Sequence, residues 1–339
     1  MNNIAELHEL IGAVKKEISK VIIGQEDIID KMLLTIFASS HALIEGVPGV
    51  AKTLLVKTIG KVINCQNNRI QFTPDMMPSD ITGTNIFNMK TQGFELFKGP
   101  IFTGLLLADE INRAPAKTQS ALLQCMQERL VSIDSKTYEL PSYFTVFATQ
   151  NPIEHEGTYP LPEAQKDRFL LKINMDYPDS DDEHELAMRI LSDQAPEDIL
   201  NSDEVKCIID MEKFQQAKKL FNQVTVKPQI INYIVRIVRN TRNNAALLVG
   251  AGPRATQALI LSSRIFAVMQ NRDFVTPDDV KAVAFGVLNH RLVLRPEFEI
   301  EGISTDEIIN QILTQTTIAE KEENEMIEKT NTEKTVDEI

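Results

Sequence analysis

The chain has 339 residues, 43% of them hydrophobic and 24% charged, which is the composition of an ordinary globular protein with room for two domains. No apolar run reaches the ~20 residues that cross a bilayer, and Met1–Lys20 mixes acids and bases, so neither a membrane span nor a signal peptide is expected. The net charge of −13 is concentrated in two blocks, and the acidic excess excludes a broad basic footprint for duplex DNA. Residues 176–204 hold eleven acids and one base (Arg189), and residues 320–339 hold eight acids and three lysines, which leaves the rest of the chain at +2. Both blocks are expected to be solvated surface. Cys65, Cys125 and Cys207 show no metal-ligand spacing and fit a reducing compartment, so a cytoplasmic protein is expected.

In chain order, Ile4, Leu7, Ile11, Val14 and Ile18 recur at helical spacing and predict an N-terminal helix within 1–23. From 24 to 176, short β-rich runs alternate with helical patterns, the signature of an α/β domain with a mostly parallel sheet. Strands are predicted at Ala42–Glu45, Arg69–Thr73, Gly104–Asp109, Phe144–Thr149 and Phe169–Ile173. Two hairpins are inserted, one turning at Thr91–Gly93 and one at Ser135–Thr137. Residues 177–316 read as an acidic connection followed by helices. Apolar faces fall at Ile230, Ile234, Ile237 and Val238, and at Ala258, Leu261, Ile265 and Val268. A further helix starts at Thr276-Pro277, an N-cap followed by proline at the first helical position. The tail, 317–339, has too little apolar surface to join a core and is expected to be disordered.

The segment Gly46-Val47-Pro48-Gly49-Val50-Ala51-Lys52-Thr53 joins a strand to a helix that continues through Leu54, as in a phosphate-binding P-loop. Glycines allow successive backbone N–H groups to converge on phosphate oxygens, and the helix adds its orphan N–H groups and positive dipole end. Lys52 would bridge the β- and γ-phosphates of ATP, and Thr53 would ligate Mg²⁺. Ala51 stands where glycine is usual; as the start of the helix it is expected to have right-handed dihedrals. Downstream, Leu105–Ala108 is an apolar run ending in Asp109 and Glu110. Asp109 would hold Mg²⁺ and Glu110 would polarise the attacking water. Asn151, at the tip of the next strand, would orient that water. Arg168, where a helix meets a strand, is either an ordinary helix-end cation or a finger on a neighbour's γ-phosphate. Arg254, opening a lid helix, would fold over the nucleotide.

These motifs in this order resemble AAA+ ATPases. The wording of Ala108–Pro115, Thr118–Leu123, Phe147–Pro152 and Glu156–Gln165 resembles the MoxR family in particular. On that resemblance Gly46–Thr53 correspond to Walker A, Leu105–Glu110 to Walker B, Asn151 to sensor 1, Arg168 to the arginine finger and Arg254 to sensor 2. Val21–Gln25, with Ile23 and Gly24, corresponds to a segment lining the adenine pocket. The hairpins correspond to the helix-2 insert and the pre-sensor-1 hairpin. Lys166 departs from the apolar residue usual at its position. The resemblance implies an AAA+ P-loop core with a five-stranded sheet and an all-α lid, binding of ATP/ADP with Mg²⁺, and a hexameric ring. It also implies chaperone-like maturation of protein complexes beside von Willebrand factor A domain partners. A nucleic-acid motor and a chelatase-type metal-insertion motor share the same engine and stand as alternatives; a non-hydrolysing switch would not need all of Lys52, Thr53, Asp109, Glu110 and Arg168.

Overall fold

A computed structural model describes residues 3–47, 49–134, 136–151 and 159–317. Pro48, the hairpin turn residue Ser135, Pro152, Glu156–Thr158 and the acidic tail from 318 onward lie outside the described residues.

The chain opens with α1 (Ile4–Ile18) and α2 (Glu26–Phe37), then β1 (Ala42–Gly46), α3 (Lys52–Val62) and β2 (Asn67–Gln71). The short α4 (Pro78–Thr82) leads into a hairpin of β3 (Gly83–Asn88) and β4 (Gly93–Lys98), followed by β5 (Leu105–Asp109) and α5 (Ala116–Glu128). A second hairpin, β6 (Leu130–Ile133) and β7 (Lys136–Glu139), precedes β8 (Thr145–Gln150), α6 (Glu163–Lys166) and β9 (Leu171–Met175). The acidic stretch forms α7 (Ser180–Leu191) and α8 (Pro196–Asn201). The helical part that follows holds α9 (Met211–Gln223), α10 (Pro228–Asn243), β10 (Leu247–Val249), α11 (Pro253–Met269) and α12 (Pro277–Leu288). It ends with a 3₁₀ turn at Asn289–Arg291, β11 (Val293–Leu294), α13 (Pro296–Ile300) and α14 (Thr305–Gln315).

The first helix forms as its spacing predicts. Asn3 caps it by accepting from Glu6 N, and Leu7, Ile11, Val14 and Ile18 are buried. Those side chains rest on α3 on one side and on α9 and α11 on the other, so α1 joins the sheet domain to the helical one.

The central sheet has the order β2-β5-β8-β1-β9, and every pair in it is parallel. Its three central strands, β5, β8 and β1, are buried on both faces, as a sheet covered by helices on each side requires. Because all five run the same way, Gly46, Gln71, Asp109 and Gln150 emerge at one edge. β8 lies between β5 and β1, so whatever follows β8 falls between the acid pair and the P-loop. Ligands in such sheets sit beyond the carboxyl ends of the strands. The observed strands shift from the predicted ones at their ends. β2 begins at Asn67, since ladder hydrogen bonds do not need an apolar side chain, and Phe169 and Leu170 serve as an anchor before β9 begins.

At the opposite, amino edge, buried His41 ties three elements together. Its Nδ1 accepts from Val146 N (3.0 Å), which leaves the proton on Nε2 to be donated to Met126 O (2.9 Å). Burial lowers its pKa to about 4, below the usual 6.5. Protonating Nδ1 would set two N–H groups against each other. The stabilisation is therefore complete above pH 6.5 and is lost as the pH falls toward 4, amounting to about 3 kcal/mol across that window. Buried His290 is shifted in the same direction. Thermal unfolding should show a melting temperature that drops below pH 6.5, with a shallower slope in His41→Asn, whose amide oxygen keeps an acceptor for Val146 N. An unchanged slope in that variant would refute the assignment.

Thr276 caps α12 as predicted, in a reciprocal box with Asp279. Asp279 is buried and paired with Arg272. Among the described residues no helix is long and apolar enough to cross a membrane.

Candidate functional site

Between β1 and α3 the chain reverses through the glycine loop. Gly49 has φ +87°, a conformation L side chains rarely adopt. Ala51 also lies in the left-handed region (φ 56°, ψ 25°), which corrects the expectation of right-handed dihedrals. It is the N-cap of α3, and the reversal is made there. An alanine holds that conformation at a cost of roughly 1 kcal/mol. Lys52 turns back toward the strand, its Nζ donating to Gly46 O (2.7 Å). Burial lowers the Lys52 pKa, opposed by the charges of Asp109 and Glu110.

The acid pair is held by a network that sequence reasoning missed. Thr149, fully buried on β8, donates its hydroxyl to Asp109 Oδ1 (2.6 Å) and accepts from Glu110 N (2.9 Å). Arg69 on β2 donates to Asp109 Oδ2 through Nη2 (2.7 Å) and Nε (3.2 Å). Gln71, opposite Asp109 in the ladder, donates to Glu110 Oε2 (2.6 Å), and Arg113 pairs with the same oxygen (3.1 Å). Glu110 itself is left-handed (φ 57°), so its side chain turns away from the strand direction into the cleft.

The loop, Arg69, Gln71, the acid pair and Thr149 line one cleft of about 770 Å³. Of the predicted residues, Gly46, Gly49–Leu54, Asp109, Glu110 and Asn151 border it; Ile23, Gly24 and Val47 do not. Its far wall was not anticipated. Leu186 and Ile190, one turn apart on α7, face the cleft together with Ala195 and Pro196. The 176–204 block is therefore more than solvated surface: Leu186, Ile190, Ala195 and Pro196 wall the site and Glu197 borders it. Gly24 (φ +63°) lies against the Asp182 carboxylate on that same helix.

Arg168 and Arg254 are brought together, but elsewhere. Both line a second cavity that also holds His41, Asp167 and Arg291. Since Ala42 pairs with Leu171 and Gly46 with Met175, Arg168 precedes β9 at the amino edge while the P-loop leaves the carboxyl edge. The length of a five-residue strand, about 13 Å, lies between. Arg254 Nη1 is 3.9 Å from Asp167 Oδ2. Folding of Arg254 over the nucleotide of its own chain is thus not what the structure has, because the lid packs α11 and the 3₁₀ turn against the amino edge.

Comparison with known proteins shows the family. Residues 41–171 match the ATPase family associated with various cellular activities, and residues 239–312 match the AAA lid domain. The chain is 43% identical over 318 residues to Chaperone MoxR1 of Mycobacterium tuberculosis, covering 91% of this chain and 82% of that one. It is 30% identical to Protein MoxR of Methylorubrum extorquens, covering 88% and 91%. A crystallised candidate ATPase from Cytophaga hutchinsonii superposes with a TM-score of 0.86 at 42% identity, covering 94% of this chain and 97% of that one. This chain belongs to the MoxR family of AAA+ ATPases.

For a MoxR-family chain the donor set fits a magnesium ion. The Thr53 hydroxyl and the Asp109 carboxylate are hard oxygen donors lining the same cleft, and Mg²⁺ takes few protein ligands when substrate phosphates supply the rest. Among the described residues there is no cluster of three or more His, Cys, Asp and Glu that would build a protein-only metal cage.

Proposed function

We propose that this MoxR-family chain hydrolyses ATP with Mg²⁺ and couples hydrolysis to chaperone-like remodelling of client protein complexes, as a subunit of a hexameric ring in the cytosol. The observation that carries the reading is the Thr149-bridged acid pair facing the P-loop across one cleft. Lys52 and the N–H groups entering α3 bind the phosphates, and Leu186 and Ile190 offer apolar contact to the base. Thr53 and Asp109 would hold magnesium, which supplies charge neutralisation at the β- and γ-phosphates. Glu110, oriented by Gln71 and Arg113, polarises the attacking water, and Asn151 aligns it. A cation for the charge developing on the γ-phosphate is supplied by a neighbour's Arg168 and Arg254, since neither borders the cleft of its own chain.

The β3–β4 hairpin is the candidate client contact. Ile86, Phe87, Met89, Phe94 and Phe97 are exposed on it, and Phe87 and Phe94 stack edge to face across the strands at 5.4 Å. The register places Phe87 and Phe94 on one face and Ile86 and Phe97 on the other, so both faces of the hairpin offer exposed apolar side chains to a protein client. Affinity capture tests the role. With ATP, Glu110→Gln rings should retain client proteins and a von Willebrand factor A domain partner that Lys52→Ala rings release. DNA-stimulated ATPase suppressed by salt, with no protein retained, would replace this reading with a nucleic-acid motor.

A further inference from the structure

Arg291 belongs to the lid, on the 3₁₀ turn after α12, yet most of its donors go to the sheet domain. It is 6% exposed. Its Nε donates to Asp167 Oδ1 (2.8 Å), its Nη2 to Phe169 O (2.6 Å) and Asp167 O (3.3 Å), and its Nη1 to Leu170 O (3.2 Å) and to Val287 O. Next to it, His290 Nε2 lies 3.0 Å from Phe169 O. Leu170 N is in turn held by His41 O (2.7 Å), so the same short stretch is gripped from the sheet side too. These contacts enclose Arg168 on both sides in sequence without touching its side chain. Arg168 Nη1 instead donates to Leu123 O on α5 (3.0 Å).

The charges point the same way. Arg168, Arg254 and Arg291 line one cavity with a single carboxylate, Asp167. Asp167 spends Oδ1 on buried Arg291 and leaves Oδ2 3.9 Å from half-exposed Arg254. The surplus of positive charge faces outward, where an anion would be met.

We propose that the Asp167–Arg291 pair is a core–lid clamp that positions Arg168 and Arg254 for the nucleotide of the neighbouring subunit. Displacement of the lid in one subunit then withdraws Arg254 from the next subunit's site and loosens the 167–170 stretch that carries Arg168, so that nucleotide-driven lid movement is passed around the ring. Asp167 and Arg291 are positioning residues that act through Arg168 and Arg254. This rests on the reading that Arg168 works in trans.

Asp167→Asn is isosteric and keeps an acceptor for Arg291, while Arg291→Lys keeps the charge but cannot reach all the carbonyls. In uniform rings both should lower kcat by about 10-fold or more, with the Kd for a fluorescent ATP analogue unchanged, because the P-loop lies at the other edge of the sheet. Asp167→Glu should recover more activity than Asp167→Asn. The decisive readout is mixed rings. Combined in equal amounts with Lys52→Ala subunits, whose clamp is intact, each variant should regain activity at roughly a quarter of the sites of a randomly assembled ring. Combined with Arg168→Ala subunits, neither should. Wild-type kcat in uniform rings, a weakened ATP analogue Kd, or no recovery with Lys52→Ala would overturn the clamp, the last two by placing the defect in cis. Mixing Arg168→Ala with Lys52→Ala separates the two ideas. If that pair recovers and the Asp167 and Arg291 variants do not, only the clamp fails; if that pair does not recover, the trans reading itself is wrong.

Discussion

Glu110→Gln is expected to bind ATP about as tightly as the parent chain while hydrolysis falls by about 10²-fold or more. The backbone of Glu110 is pinned by Thr149, and its carboxylate is oriented by Gln71 and Arg113. An amide of the same shape keeps an acceptor for both, so the cleft should stay as it is. What the substitution removes is the charge that draws a proton from the attacking water. Asp109, one residue earlier, is held by separate contacts to Thr149 and Arg69, so phosphate and metal binding should survive. Lys52→Ala provides the contrast: it deletes the cation beside the phosphates and should abolish binding itself. Nucleotide titration beside steady-state phosphate release distinguishes the two. Hydrolysis by Glu110→Gln at near parental rates would remove Glu110 from the catalytic step.

Arg168→Ala should lower ATP hydrolysis by about 10³-fold while leaving nucleotide affinity intact, and the loss should be shared between subunits. Arg168 stands at the amino edge of the sheet, about a strand length from its own P-loop. No side-chain rotation covers that distance. Rings mixed from Arg168→Ala and Lys52→Ala subunits, each inactive alone, should regain partial activity. Sites on Arg168→Ala subunits can then meet an intact arginine from a Lys52→Ala neighbour. Arg254→Ala should complement in the same way, since it shares a cavity with Arg168 and not with the P-loop. Absence of recovery in mixed rings of verified composition would make both arginines structural ion-pair residues.

Much of this protein is legible without coordinates, and for local reasons. The P-loop depends on two glycines three residues apart, Gly46 and Gly49, just before Lys52 and Thr53, and the acid pair depends on an apolar strand that ends in carboxylates. The helices depend on apolar side chains one turn apart, as Leu7, Ile11, Val14 and Ile18 show. Each of these is a property of a few neighbouring residues, so each can be derived from the order of the letters, and the family resemblance rests on the same segments. The left-handed backbone of Ala51 is not legible in the sequence, because its dihedral answers to how α3 must leave the loop, which no propensity at that position reveals.

What only the tertiary structure decided are relations between distant segments. Strand order is set by crossovers and packing. It is the β2-β5-β8 adjacency that delivers Arg69 and Gln71 to carboxylates 40 and 39 residues away, and Thr149 to both acids at once. In sequence Arg69 and Gln71 are merely polar residues alternating along a strand, and Thr149 is one more β-branched residue. Likewise, the acids of 176–204 indicate a solvated helix, and only its docking reveals that Leu186 and Ile190 wall the cleft. The lid's direction is the largest such case. Arg254 opens a helix that, from its sequence, would serve equally well above either edge of the sheet. In the fold the lid packs on the amino edge, where α12 meets β9 and the guanidinium of Arg291 is buried against Asp167, Phe169 and Leu170, more than 120 residues earlier in the chain. A charge withdrawn from water must find its partners, and no local pattern reveals that these are they.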